Sequence, residues 1–452
     1  MRSTLPAVLI TATLAHGAYQ PGPTDEISRA AESAYVYLYP LALTHVVWLS
    51  RGGSTNELRH LRSYPTAEQS RGAIAPNVDT LYSAAWLDLS DGPIVLDVPD
   101  TKGRYYSVQL VDGFDQTIGL IGKRTHGTRA ARFLIASRRS KAAATPNVER
   151  LHVPADFVWL LVRIQANGRA DYAFVNALQD QFSVKPLTPR TSASRPADFP
   201  PVKPGFDPVR QLDAMDGVMF FRAAAEAMKK SPLAPADTNI IRPLTRIGIS
   251  VGKSFDPDAL SSETRAALNR GAVDGRIKIE AFGSDDSKMF ADDIGGGWRR
   301  HRVEDFGKDY LRRAATARIA RGSLPPEEAT YFVARTDSAG RTLTGQHQYV
   351  LRFEQGKLPP VDAFWSITLY DAEGHFVPNP IDRFAIGDRD SVVKGRDGSV
   401  EIHIQSESPA GTQSNWLPAP KSAPFCLSLR MYLPRKEVLA AAWRVPALRR
   451  MK

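Results

Sequence analysis

Apolar residues recur at two different periods along this chain, and the switch between them marks out its plan. From Asp25 to Ser50, Ile27, Ala30, Ala34, Tyr37, Leu38 and Leu41 fall three or four apart, the spacing of one helix face. Thr24 or Asp25 can cap its start. Pro40 lacks an amide hydrogen and should kink or end its first part. From Ala73 to Ser137 the period shortens to two. Strands are expected over Leu81–Leu89, Ile94–Val98 and Tyr105–Val111, parted by turns at Asp91-Gly92-Pro93 and Asp100–Gly103. Val148–Gln165 continues the pattern, with Phe157–Arg163 as a buried strand. Short strands at this spacing predict a β-sandwich.

Ser192–Asp207 is rich in Pro, Ser and Ala and reads as a linker. Pro208–Lys230 then predicts an amphipathic helix with Leu212, Met215, Met219, Phe220 and Ala224 on one side. Helical character continues over Ala236–Lys253, Asp256–Phe282 and Val303–Gly322, with a glycine turn at Gly295–Gly297. The strand pattern returns over Glu328–Asp337, Gln346–Phe353, Phe364–Tyr370, Ser399–Gln405 and Phe425–Leu433, predicting a second sandwich of jelly-roll type. The plan is mainly β with α: an N-terminal helical segment (25–55), a β-sandwich (56–191), a linker and small helical domain (192–322) and a second sandwich (323–446).

Composition narrows the classes. Hydrophobic residues make up 43% and charged residues 23%, ordinary values for globular domains. The net charge is +10, but the basic residues are scattered in short clusters at Arg138–Lys141, Arg299–Arg302 and Arg449–Lys452. No nucleic-acid-binding pattern accompanies them. Cys426 is the single cysteine, so no intrachain disulfide forms, and it lies in an apolar alternating run as a buried thiol. Arg2, the apolar stretch Leu5–Ala15 and the small residues Gly17 and Ala18 have the layout of a secretory signal over 1–18. A periplasmic or secreted protein without a transmembrane helix is expected.

Two familiar motifs are decoys. Gly248-Ile249-Ser250-Val251-Gly252 matches a nucleophile elbow, but no strand–turn–helix context surrounds it. Gly252-Lys253-Ser254 ends like a phosphate loop, yet the first glycine is one position out of register. The nine histidines are isolated, so neither a metal site nor a cofactor is expected.

The denser signals are polar–aromatic clusters in strands. In Asn77–Ser83, Asn77, Asp79 and Leu81 share one face; Val78, Thr80 and Tyr82 share the other. Asn and Asp are poor strand formers, so this is a site or a tied-down loop. In Arg104–Asp112, Arg104, Tyr106 and Leu110 alternate with Tyr105, Ser107 and Gln109. Arg104 can pair with Asp79, hold an anionic group or form an internal ion pair. In Pro359–Asp371, Phe364, Ser366, Thr368 and Tyr370 alternate with Trp365, Ile367 and Leu369. Asn379, Asp382, Arg383 and Asn415-Trp416 complete a palette of rings and polar groups suited to sugars.

These stretches, with Trp86–Asp88, Val98-Pro99-Asp100 and Gly103–Tyr106, resemble the domain-of-unknown-function family 1254. Pro359–Asp371, Asn379-Pro380, Ile386-Gly387-Asp388 and Asn415–Pro418 resemble family 1214, its usual partner. The resemblance implies an immunoglobulin-like sandwich, a small helical domain and a jelly roll, commonly exported. It lends no activity. His347 stands where the family pattern suggests a polar amide, adding a titratable group.

The functional expectation is a small organic or glycan ligand, bound among Asn77, Tyr82, Arg104, Tyr106, Gln109, His347, Trp365, Tyr370, Asn379, Arg383 and Trp416. One alternative is a hydrolase or lyase with Asp79 and Asp112 as acid and base. Another is a structural protein assembling as a homo-oligomer. The choice turns on whether Asn77–Ser83 and Pro359–Asp371 face one cavity.

Overall fold

The computed structural model describes residues 23–72, 75–141, 148–188, 197–198, 206–289, 292–301, 306–409, 411 and 413–451. The signal-like segment Arg2–Ala18 and most of the linker 192–207 lie outside them.

Four sheets form two stacked pairs. In the first pair, a six-stranded sheet runs in the order Ala197–Asp198, Arg59–His60, Thr80–Asp88, Phe157–Gln165, Tyr106–Val111, Thr117–Gly122. It faces a four-stranded sheet ordered Glu149–Val153, Ala131–Ser137, Ile94–Val98, Ser183–Pro186. In the second pair, the six-stranded sheet is ordered Asp292–Gly295, Trp298–His301, Ala329–Ala334, Phe425–Pro434, Val361–Asp371, Ala385–Gly387. Its partner is Trp416–Pro418, Val400–Gln405, Tyr349–Phe353, Arg449–Arg450. The expected strands therefore form, with small shifts at their ends.

Strand alternation assigns each side chain to a face. Tyr106, Val108 and Leu110, with Val158, Leu160, Val162 and Ile164, point at Ile94, Leu96, Phe133 and Ile135 and form the first core. Trp365, Ile367 and Leu369, with Leu427, Leu429 and Met431, meet Tyr349, Leu351, Ile402 and Ile404 in the second. The opposite faces are also covered. Tyr105 of the first sandwich packs with Phe364, Tyr432 and Leu433 of the second.

The helices form a third core. Pro23–Ser50, Gly217–Met228, Ser262–Gly283 and Tyr310–Ile319 bury Tyr35, Leu38, Phe220, Leu268 and Ala314 together. Pro40 does not end the first helix, which continues to Ser50; burial of its flanks outweighs one lost hydrogen bond. The helix expected over Pro208–Lys230 is two: Pro208–Asp213, and Gly217–Met228 capped by the Asp216 side chain on the Met219 amide. The break changes the helical phase. Phe220, Phe221, Ala224 and Met228 are buried, whereas Met219, expected on the apolar side, is 56% exposed. The glycine turn at Gly295–Gly297 joins two strands rather than two helices. Of the helix expected over Val303–Gly322, residues 303–305 lie outside the described residues and Tyr310–Ile319 is helical. No helix among the described residues is long and apolar enough to cross a membrane.

Glycines inside Ser262–Gly283 let it approach the first helix closely. A Cβ on Gly271 would come within 2.3 Å of the Ser28 carbonyl oxygen and 2.5 Å of Ala31 Cβ. Helix propensity alone favours Gly271→Ala by about 1 kcal/mol. Overpacking costs about 1–3 kcal/mol. The substitution is expected to lower the urea midpoint; a raised midpoint would refute this close crossing.

Candidate functional site

Asp79 sits at the centre of the junction between the sandwiches. It is fully buried. One carboxylate oxygen pairs with Arg389, and the other accepts from Ser366 Oγ at 2.8 Å. Arg389 also donates to the Asp79 and Ala166 carbonyls at 3.2 Å and lies over the Phe364 ring. Beside it, Tyr105 donates to Glu328 at 2.9 Å, and Arg124 donates to the second Glu328 oxygen. Asp79 does not pair with Arg104. Arg104 makes a bidentate ion pair with Asp171 at 2.5 and 3.0 Å, the internal alternative.

Next to this junction is a cavity of about 480 Å³. Asn77, Tyr82 and Arg163 line it from the first sandwich; Tyr331, Tyr370, Arg430 and Tyr432 line it from the second. The segment Ile319–Ser323, at the end of the helical unit, closes a third side. Both polar–aromatic motifs therefore reach one cavity. Register explains the pairing of groups. Tyr82 stands directly across from Arg163, and Tyr331 directly across from Arg430.

The lining is organised by hydrogen bonds. Asn77 Oδ1 accepts from the Asp79 and Thr80 amides, at 3.0 Å each, and Nδ2 donates to the Tyr82 hydroxyl at 2.7 Å. Gln109 accepts from Arg163 at 2.7 Å and donates to Thr117 Oγ1 and the Ser323 carbonyl. Tyr370 donates to the Pro76 carbonyl and accepts from Arg430 at 2.6 Å. Burial pushes the Tyr370 hydroxyl up to about 12 and the cavity-lining Cys426 thiol up to about 11, so both stay protonated at neutral pH. Ala75 adopts φ +50°, a sparsely populated conformation that tends to collect at functional sites. Gly322, at φ +69°, accepts from Arg163 at 2.7 Å and donates to Asp115. A Cβ there would press on the Trp159 ring at 3.0 Å.

The remaining predicted residues lie elsewhere. Tyr106 and Trp365 belong to the two cores. Trp416 is buried and donates to the Gln405 carbonyl. Asn379 ties its own loop through Val377 and Arg383, and Arg383 donates to the Ser414 and Trp416 carbonyls. His347 is half-buried, its amide closing a turn on Thr344. Asp112 accepts from the Phe114 and Gln116 amides at 2.9 Å and shares no described partner with Asp79. Asp79 and Arg383 instead line a second cleft of about 290 Å³, along with Arg389 and Tyr64. Among the described residues, no group of three His, Cys, Asp or Glu side chains could hold a metal.

Residues 55–186 match the family described as Protein of unknown function (DUF1254), and residues 328–436 match Protein of unknown function (DUF1214). The chain carries these two domains, in that order. Its fold is similar to the VPA0106 protein of Vibrio parahaemolyticus, with a TM-score of 0.68 and 24% identity over 94% of this chain and 100% of that one. A putative uncharacterized protein of Burkholderia cenocepacia aligns at a TM-score of 0.47 and 13% identity, over 95% of each chain. No curated protein matches the chain.

The sequence reading missed two of the cavity's arginines, the ones that stand inside central strands. Arg163, from the 1254 domain, interrupts the apolar run Phe157–Gln165; Arg430, from the 1214 domain, interrupts Phe425–Pro434. A guanidinium inside a central apolar strand is rarely buried without a purpose, and that is the signal which could have found them.

Two outcomes follow from these contacts. Asp79→Asn leaves Arg389 with only the more distant Asp388, at 3.7 Å, and should cost about 3 kcal/mol in urea unfolding. Asp79→Leu with Arg389→Met should cost less than that single change; a costlier double variant would remove the ion pair as the cause. The second concerns pH. Burial pushes Asp115 up to about 7 and Asp112 up to about 6. A carboxyl with a raised folded-state pKa holds its proton better when folded. Its contribution is full below about pH 4 and is lost as the pH rises toward 7. Asp115→Asn cannot ionise and still offers Gly322 an acceptor. Urea midpoints should shift in its favour relative to wild type between about pH 4 and 7, then run parallel; a pH-independent difference would contradict this.

Proposed function

We propose that this chain binds a small organic molecule in the cavity where its two β domains meet its helices. The observation that carries this is the shared cavity: residues of two motifs far apart in sequence line one space of about 480 Å³. Ligand sites of about 300–1,000 Å³ with ring walls and a few placed polar groups fit this description. Tyr82, Tyr331 and Tyr370 offer rings, and Asn77, Arg163 and Arg430 offer hydrogen bonds.

A glycan is the less favoured form of this reading. The tryptophans that would stack on sugars, Trp365 and Trp416, are 2% and 4% exposed. Carboxylate acid–base chemistry has less support still, because neither Asp79 nor Asp112 lines the cavity. We place the activity outside the cytoplasm, on the strength of the segment Arg2–Ala18. A jelly-roll reading of the 1214 domain is supported by its strand order, in which Phe425–Pro434 lies between Ala329–Ala334 and Val361–Asp371. The 1254 domain has a parallel pairing, Ala131–Ser137 with Glu149–Val153, that distinguishes it from a wholly antiparallel immunoglobulin sheet.

Ser428→Phe tests the reading by filling the cavity from the Phe425–Pro434 strand. A thermal-shift panel of organic acids, amides, phenols and sugars should yield compounds that raise the Tm of wild type and leave the variant unmoved. Hits that stabilise both proteins equally would place binding elsewhere; a panel without hits would count against the proposal.

A further inference from the structure

Resting on that reading, charge and hydrogen-bond accounting narrow the class of ligand. Arg163 and Arg430 are each 5% exposed, and both line the cavity. Neither has a carboxylate within ion-pair distance among the described residues. Asp79 is engaged by Arg389, and Glu328 by Arg124 and Tyr105. Asp115 lies 4.0 Å from Arg321. The two carboxylates that line the cavity are Asp286, paired with Arg335, and the exposed Glu373. Asp79 acts on Arg430 and Glu328 on Arg163 only at longer range, and each carboxylate is already held by another arginine, Arg389 and Arg124.

The acceptors of both guanidiniums are neutral. Arg163 donates to Gln109 Oε1 (2.7 Å), the Gly322 carbonyl (2.7 Å) and the Tyr82 hydroxyl (3.4 Å). Arg430 donates to Thr368 Oγ1 (2.8 Å), the Tyr370 hydroxyl (2.6 Å) and the Ala75 carbonyl (2.8 Å). A guanidinium carries five N–H donors. Three bonds from each leave two N–H groups unspent on each. Tyr331 lies within electrostatic reach of both arginines, so the two belong to one neighbourhood. A buried cation without a counter-ion is costly, whereas an apolar residue of similar size would not be. Two such positions in one cavity, each held in place by neutral groups, make an anion receptor.

We propose that the cavity receives a small organic acid, its carboxylate taken by the free N–H groups of Arg163 and Arg430 and its body lying against the Tyr82, Tyr331 and Tyr370 rings. The planar fork of arginine matches a carboxylate, and the rings favour an organic body over a bare inorganic ion. Binding transfers no atoms or electrons.

The test compares matched pairs on the whole wild-type protein. Benzoate, phenylacetate and hexanoate, their primary amides, and inorganic phosphate are titrated by ligand-observed NMR and calorimetry. At least one acid should bind ten times more tightly than its amide, weaken with added salt, and resist displacement by equimolar phosphate. Arg163→Gln and Arg430→Gln should each cost that acid at least tenfold while leaving its amide within twofold, and Arg→Lys should recover part of the loss. Amides binding as tightly as acids, in a manner blocked by Ser428→Phe, would overturn the organic-acid assignment and leave the small-molecule site standing. Phosphate matching the acids would overturn it in favour of a simple anion site. No binding by any probe would overturn it outright, and the broader thermal-shift panel would then decide the parent reading. Should the glutamine variants fail to fold, the wild-type acid-to-amide ratio and its salt dependence still decide.

Discussion

A carboxylate stripped of water must be met on every side, and Asp79 is met by groups from the far end of the chain. Ser366 lies 287 positions away and Arg389 lies 310. Their bonds to one fully buried carboxylate fix how the two six-stranded sheets stand against each other. Removing Arg389 would strand Asp79 in a medium of low polarity, where an unpaired ion is costly, and removing Asp79 would leave Arg389 with only Asp388 at 3.7 Å. The alignment is thus set by a directional contact as well as by the apolar contacts of Tyr105, Phe364 and Tyr432.

That alignment has a chemical consequence. Each central strand is buried on both faces, one against its own sandwich partner and one against the rest of the molecule. The second faces carry arginine, tyrosine, glutamine and serine, which must find partners inside the protein. Most do, through chains such as Thr117–Gln109–Arg163–Gly322. Where the two sheets and the helices fail to close completely, the same polar faces line a cavity. The cavity is therefore basic and phenolic for the same reason that the interface is polar.

Much of this was legible beforehand, though unevenly. The strands over Ile94–Val98, Tyr106–Val111 and Phe425–Pro434 follow from alternation and turn residues, which act locally. The split of Pro208–Lys230 was less visible. Asp216 reads as one polar residue in an amphipathic run until its side chain is seen capping a new helix, and that cap turns Met219 outward. Among the proposed site residues, Asn77, Tyr82 and Tyr370 line the cavity and Gln109 holds Arg163, while Tyr106 and Trp365 fill cores. Arg163 and Arg430 went unnoticed because each stands alone among apolar neighbours in sequence, with its partners on other strands.

By itself the sequence determined parity. Period-two alternation sorts Tyr105 from Tyr106 and Trp365 from Tyr370, because successive side chains must leave a strand on opposite sides. It also determined the order of the β and helical units and the family of each β domain. Parity does not say which side meets the core and which meets a cavity. Only the tertiary structure decided that, by turning the Tyr82–Arg163 face of one sheet and the Tyr331–Arg430 face of the other toward one space. The reason is physical: a strand's own backbone divides its two faces, but what covers each face is chosen by contacts between residues hundreds of positions apart.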